Sequence, residues 1–303
     1  MNDTLQHELR TQAATQTEAM LLPEGVSRTP LRRPRTDVVL THLILIGGAV
    51  VMVFPFIWQF LTTFKTTPES LSVPAKVLPA QWNFDNYIAA LTQIPFWEQF
   101  GVSVTSVLAR TVVVLLICSA AGYAFARLRF PGRDVLFILL LLIMMVPREL
   151  YLLPQTEIMR DLGLLNTVPG LVIPGFFSAF GVFLMRQFFR SLPASLEEAA
   201  RIDGAGHFRT FFSIMLPLAK PGLIALAIFT AIFSWNELLW PLMVNSDAEK
   251  LNLAAGLSTF AGEYVTPYPL LMAGTLLAQL PLIILFLIMQ KRFIEGIAFT
   301  GVR

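Results

Sequence analysis

Charge is scarce in this sequence. Only 14% of its 303 residues are Asp, Glu, Lys or Arg, where soluble domains carry about 25%. The net charge is +2, too little to draw a polyanionic partner such as a nucleic acid. A single cysteine, Cys118, permits no intrachain disulfide. Within its apolar run it reads as a small packed hydrophobe. The histidines His7, His42 and His207 stand apart, with no HExxH or Cys/His spacing, so no metal site is expected. No GxxxxGK(S/T) phosphate loop occurs, which leaves the chain without that means of holding ATP. The first 36 residues are polar, and the first apolar run is too long for a cleavable signal peptide.

What is present is apolar and long. Hydrophobic residues make up 55% of the chain and the mean hydropathy is +0.66. Between Asp37 and Lys65, and again between Glu263 and Lys291, lie 27 residues without Asp, Glu, Lys or Arg; Leu162–Met185 adds 24 more. A helix rising about 1.5 Å per residue crosses a bilayer in about 20 residues. The chain is therefore expected to be an all-helical integral membrane protein. Six spans are expected, at about Val38–Phe64, Phe100–Ala126, Arg133–Leu152, Val168–Phe188, Pro221–Val244 and Pro269–Gln290.

Charge placement tests that count. With a cytoplasmic N-terminus, sixteen Lys and Arg fall inside and five fall outside, namely Lys65, Lys76, Arg148, Arg160 and Lys250. Arg110 lies within the second span. This is the bias of the positive-inside rule. Deleting the third span would put the basic cluster from Arg186 to Lys220 outside. The polar tail up to Thr36, with Arg28, Arg32, Arg33 and Arg35 beside the membrane, reads as a disordered cytoplasmic segment with a basic anchor. Prolines 55, 147, 174, 241 and 281 lie within or near span ends, where membrane helices tolerate kinks.

One inside loop does not belong in a simple bundle. From Ser191 to Lys220 it reads SLPASLEEAARIDGAGHFRTFFSIMLPLAK. Ser195 and Glu198 have the spacing of a capping box, which predicts a short helix beginning there. Glu197 and Glu198 fall in its first turn, where the helix dipole favours negative charge. Ala199 and Ala200 let another surface come close to the backbone, and Gly204 permits a turn. Phe208, Phe211, Phe212 and Met215 then recur at helical spacing as an apolar stripe that Pro217 should end. Two readings follow: a helix lying on the membrane surface, or a knob on which a soluble partner docks.

Glu198-Ala199-Ala200, then Gly204, then Ile214, Leu216 and Pro217 match, without a mismatch, the signature loop of ABC importer membrane subunits. Further stretches resemble the carbohydrate-uptake branch of that family: Ala121–Arg133, Leu162–Thr167, Phe183–Phe189, Leu196–Ala205, Leu216–Leu223 and Trp235–Leu242. The likeness is to the smaller membrane subunit of maltose-type transporters and covers residues 38–303. Two departures stand out. Phe100-Gly101-Val102-Ser103 replaces a frequent Asn-Ser, and the tail ends Phe299-Thr300-Gly301-Val302-Arg303.

The resemblance implies a six-span type I ABC importer permease with a cytoplasmic coupling helix. The permease domain would cover 37–292, with cytoplasmic tails at 1–36 and 293–303 and a coupling loop at 191–220. The contacts with an ATPase subunit would be Glu197, Glu198, Ala199, Ala200, Asp203, Gly204, Ile214, Leu216 and Pro217. ATP and Mg would be bound by that partner chain. The further partners would be a second, related permease and an external solute-binding protein, in a bacterial or archaeal plasma membrane. The solute would be a sugar or a sugar-like compound; a permease for polyamine or glycerol phosphate is the alternative.

Pathway candidates are the polar groups that are expensive in lipid: Trp235, Asn236 and Glu237 in the fifth span, Arg110 in the second, and Gln279. Glu237 would line the pathway or hold helices together. Arg110 would snorkel outward, pair with Glu237, or meet an anionic solute group. Gln279, Asn245 and Ser234 would also serve as interhelical hydrogen-bonding groups. Trp240, Trp97 and Trp82 read as interface anchors or outside-loop packing. An ion-coupled secondary transporter, the reading from another class, would show similar halves and more intramembrane ionisable groups; neither is found.

Overall fold

The computed structural model describes residues 35–262 and 265–301, with side chains described for 39–262, 265–288 and 290. The expected tail therefore lies outside the described residues up to residue 34. The chain divides into two units, the first ending at Pro55. The first contains the start of helix α1, Arg35–Thr62, whose side chains from Val39 to Phe54 are exposed on every face. The second begins at Phe56 and holds everything else. Among the described residues all regular structure is helical.

Three helices are individually long and apolar enough to cross a membrane: Val39–Thr62 within α1, Phe96–Arg127 (α2) and the Tyr268–Ile288 part of Tyr268–Gly301 (α3). Three more crossings are available only if bent pairs each count as one. Arg133–Ile143 (α4) turns by 95° into Arg148–Asp161, Val168–Gly175 turns by 45° into Ala179–Ser191 (α5), and His207–Leu218 (α6) turns by 75° into Lys220–Trp235 (α7).

The first two bends fall within the spans expected at 133–152 and 168–188. The third falls at Ala219, before the span expected at 221–244, which is interrupted instead after Trp235. Prolines stand at the breaks inside all three spans. Proline lacks an N–H and its ring collides with the carbonyl four residues before it. Pro147 stands four after Ile143, where α4 stops. Pro174 frees the carbonyl of Gly170, and Pro241 frees that of Glu237. Each freed carbonyl is taken by a side chain from elsewhere: Trp240 Nε1 donates to Gly170 O at 3.2 Å, and Asn252 Nδ2 donates to Glu237 O at 2.6 Å. Helix α7 accordingly ends at Trp235, and Leu239–Val244 is a separate short helix. The last helix, α3, continues through Gly301.

The core of the second unit forms where α2 and α5 meet. Gly122 and Gly181 set their distance. A Cβ on Gly122 would lie 2.6 Å from Met185 Cβ, and one on Gly181 would lie 2.8 Å from Cys118 Sγ. Small residues allow this close approach in membrane helices, where dispersion has to replace the hydrophobic drive. Around the contact Val114, Cys118 and Tyr123 of α2 pack on Val182, Met185 and Phe189 of α5, joined by Phe211 and Met215 of α6. Cys118 is fully buried, with its thiol directed to Ser178 O at 3.4 Å. Trp240 is 1% exposed within a cluster with Leu171, Val172 and Val244, so it is a core residue rather than an interface anchor. Trp82 and Trp97 are exposed.

Candidate functional site

The polar loop folds as a helical hairpin. Its first helix, Ser195–Ile202 (α8), starts where the spacing predicts, but Ala194 occupies the N-cap and no side chain caps it. Ser195 is already inside the first turn, so the expected capping box does not form. The helix end is better determined. Gly204 has φ +76°, its N–H reaches Arg201 O at 3.0 Å, and the Ala205 N–H reaches Ala200 O at 2.9 Å. Those two bonds define the Schellman ending, which calls for a left-handed residue at the Gly204 position.

Past the turn, α6 does not carry the regular stripe its spacing suggests. A π-helical turn, Phe211–Met215, interrupts it, with the Leu216 N–H bonded to Phe211 O. One residue is thereby inserted per turn. The aromatic stripe splits, so that Phe211 and Met215 are buried while Phe208 and Phe212 face outward. Pro217 lies within the final turn, and the break follows at Ala219. The tip of the hairpin thus exposes large apolar groups, Ile202 at 87% and Phe208 at 83%. Beside them Glu198, Ala199, Arg201, Asp203 and Gly204 are also exposed.

The remaining motif residues do something else. Glu197 and Ala200 are buried, and Glu197 Oε1 lies 3.7 Å from Arg127 Nε at the end of α2. Ile214 and Leu216 are partly buried against the core cluster, while Pro217 is exposed. The outward-facing part of the motif is therefore narrower than the motif itself.

A second polar site lies at the break after α7. Arg110 Nη1 donates to Glu237 Oε2 at 2.5 Å, and Nη2 donates to Leu171 O at 2.8 Å. Arg148 pairs with the other carboxylate oxygen, Oε1, and its guanidinium lies 5.3 Å from the Phe233 ring centroid. Arg110 is 3% exposed, so it does not snorkel; it takes the pairing alternative. Its Nε packs where a Cβ on Gly175 would sit, so the glycine makes room for the guanidinium. Arg148, expected in an outside loop, was not paired with Glu237 by sequence reasoning. Only the 95° bend after α4 brings it there.

The other pathway candidates are scattered. Trp235 is buried, with Nε1 donating to Ala278 O at 3.1 Å. The exposed Asn236 returns its amide to Ile232 O of its own helix at 2.8 Å. Gln279 is partly buried on α3. Asn245 donates to Lys250 O at 2.6 Å, a local loop bond, and Ser234 is buried. Asn252, which sequence reasoning missed, holds the Glu237 backbone and caps Leu253–Ser258 through Ala255 N.

Residues 114–298 match the family model described as the binding-protein-dependent transport system inner membrane component. The chain belongs to this family. Family members are inner-membrane parts of importers that work with a solute-binding protein, a partner permease and an ATPase. The chain is accordingly a transporter subunit, and ATP hydrolysis belongs to another polypeptide.

Similar proteins extend the match beyond residues 114–298. The diacetylchitobiose uptake system permease protein NgcG of Streptomyces coelicolor is 34% identical over 90% of this chain and 91% of its own. The arabinooligosaccharides transport system permease protein AraQ of Halalkalibacterium halodurans is 36% identical over 89% and 99%. The sn-glycerol-3-phosphate transport system permease protein UgpE of Brucella abortus is 33% identical over 89% and 98%. Among solved structures, a bacterial ABC transporter involved in the import of the acidic polysaccharide alginate superposes with a TM-score of 0.72. The identity there is 26%, over 86% of this chain and 98% of that one. The chain thus has the fold of a type I ABC importer permease.

Proposed function

We propose that this chain is the permease that imports a sugar or sugar-like solute, with six crossings, both termini cytoplasmic and the α8–α6 hairpin docked on an ATPase subunit. In this reading the bent pairs 133–161 and 168–191 are each one crossing, and the fifth crossing starts at Pro221, after the hairpin. One copy pairs with a related permease and two ATPase subunits, which hold ATP and Mg, while an external binding protein delivers the solute. A sugar is favoured by the oligosaccharide names of two relatives.

The observation that carries the docking assignment is the bare tip of the hairpin. Ile202 and Phe208 are large, apolar and almost fully exposed on a short, tightly closed hairpin. An exposed apolar patch rimmed by Glu198, Arg201 and Asp203 is the anatomy of a protein contact. A surface-lying helix would instead carry a basic polar face. ATP then acts by differential contacts, favouring the conformation in which the hairpin fits the closed ATPase dimer.

In the pathway, Asn236 and Gln279 are the groups we assign to solute hydroxyls. Arg110, Glu237 and Trp235, which are buried and bonded or paired within the protein, shape the wall. The test is uptake and solute-stimulated ATP hydrolysis in the reconstituted complex. Glu198→Lys and Gly204→Asp should abolish both while the protein still inserts, and retained stimulation in either would overturn the assignment. Binding of mono- and disaccharides and glycerol phosphates to the external protein identifies the solute.

A further inference from the structure

We propose that Arg127 is the positioning residue that carries movement of the hairpin into α2, a role that rests on the hairpin being the ATPase contact. Arg127 is the last residue of α2. Its Nη2 donates to Phe189 O at 2.6 Å and to Leu192 O at 2.5 Å, and its Nε faces Glu197 at 3.7 Å. One guanidinium therefore touches three elements: it ends α2, satisfies carbonyls at the end of α5, and meets the first turn of α8.

The carbonyls at a helix C-terminus lack their i+4 donor. Phe189 O has only the Leu192 N–H at 3.3 Å, and a planar, multiply donating guanidinium suits such acceptors as an ammonium does not. The side chains of Arg127 and Glu197 are 13% and 10% exposed, whereas the neighbouring Glu198 is exposed. Of two adjacent acids, one is turned inward to this arginine. The Tyr123 hydroxyl, one turn before Arg127, faces the same carboxylate.

The surroundings leave little slack. Covalently, α5 and α8 are joined only by Leu192, Pro193 and Ala194. A push on the hairpin could be absorbed by bending there. Across the tie, Tyr123 packs against Phe189 at 5.6 Å and against Phe211 of α6 at 5.0 Å between ring centroids. Gly122 seats α2 directly on Met185. With Arg127 bound to both sides of the three-residue link, the hairpin, α5 and α2 move as one body. Without it, the hairpin is free to hinge while remaining docked.

Spin-label distances in the assembled complex test this. Labels at Arg209→Cys on the hairpin and Leu116→Cys on α2, in a Cys118→Ala background, report the hairpin–α2 distance with and without ATP and Mg. Co-purification of the ATPase subunit is scored separately. The unmodified tie should give a single narrow distance that ATP leaves unchanged. In Arg127→Gln and in Glu197→Gln the distribution should broaden and shift with ATP while the ATPase subunit stays bound. Arg127→Lys, which keeps the charge but not the two-carbonyl reach, should fall between. Narrow, unchanged distances in both neutral variants would overturn the tie and leave the docking assignment standing. Failure of the unmodified chain to hold the ATPase subunit would overturn docking and transmission together; the nucleotide-free width in Arg127→Gln would then report only the mechanical link.

Discussion

Arg110 and Glu237, 127 positions apart in the chain, are joined by a buried ion pair of 2.5 Å. Arg110 lies within α2, but its partner lies outside any helix. Glu237 sits in the non-helical break that Pro241 imposes, and Arg110 fills the space left by Gly175. The pair also requires Arg148, which takes the second carboxylate oxygen. Two cations on one anion leave a net positive charge, and only Arg148, with 29% of its side chain exposed, reaches outward to disperse it.

Breaking the pair from the buried side should cost more than from the exposed side. Arg110→Gln leaves Glu237 without its buried partner and is expected to lose about 3–5 kcal/mol. Arg148→Gln should cost clearly less. Thermal unfolding of the detergent-purified protein checks the order, and equal losses would contradict the burial difference.

The two buried indoles make a second contrast. Trp240 supplies the Gly170 carbonyl with the donor that Pro174 removes. Trp235 bonds to Ala278 O inside a continuous helix, where Leu282 offers its own N–H one turn on. Trp240→Phe strands a buried acceptor and should lose about 1–3 kcal/mol, and Trp235→Phe less. The same unfolding measurement decides.

Gly122→Val should force α2 away from α5, because the added atoms meet the Met185 Cβ and the Arg186 backbone rather than a flexible tip. Overpacking of this kind costs about 1–3 kcal/mol or more. The variant should insert into membranes normally yet unfold at lower temperature. Gly101→Val, with open space around the glycine, is the control and should not.

Cys118 should resist maleimide in the native protein and react fully in denaturing detergent, since its thiol is enclosed between α2 and α5. Prompt labelling of the folded protein, read by mass spectrometry, would refute the packing of those helices.

Much of this was legible one residue at a time. Apolar runs predicted both ends of α1 and α2 and the start of α3 to within a few residues, because a stretch that must satisfy its own backbone in lipid has few alternatives to a helix. The start of α8 and the turn at Gly204 were also readable, the latter because a left-handed helix ending calls for glycine. The capping box was not. Ser195 and Glu198 have the right spacing, but the helix begins one residue earlier than such a cap requires. The stripe on α6 failed for a related reason, since a single inserted residue in the π turn changes which aromatics face out.

Composition and local pattern by themselves determined that the chain is a helical membrane protein with one polar hairpin carrying the signature of an importer family, since burial in lipid and turn chemistry act on neighbouring residues. Only the tertiary structure decided what the isolated charges do. Arg110 had three open fates, Arg148 none assigned, and Glu197 and Glu198 looked equivalent. Each was resolved by proline breaks and glycine contacts that bring distant segments together, and a buried charge takes whatever counter-charge the packing puts within reach.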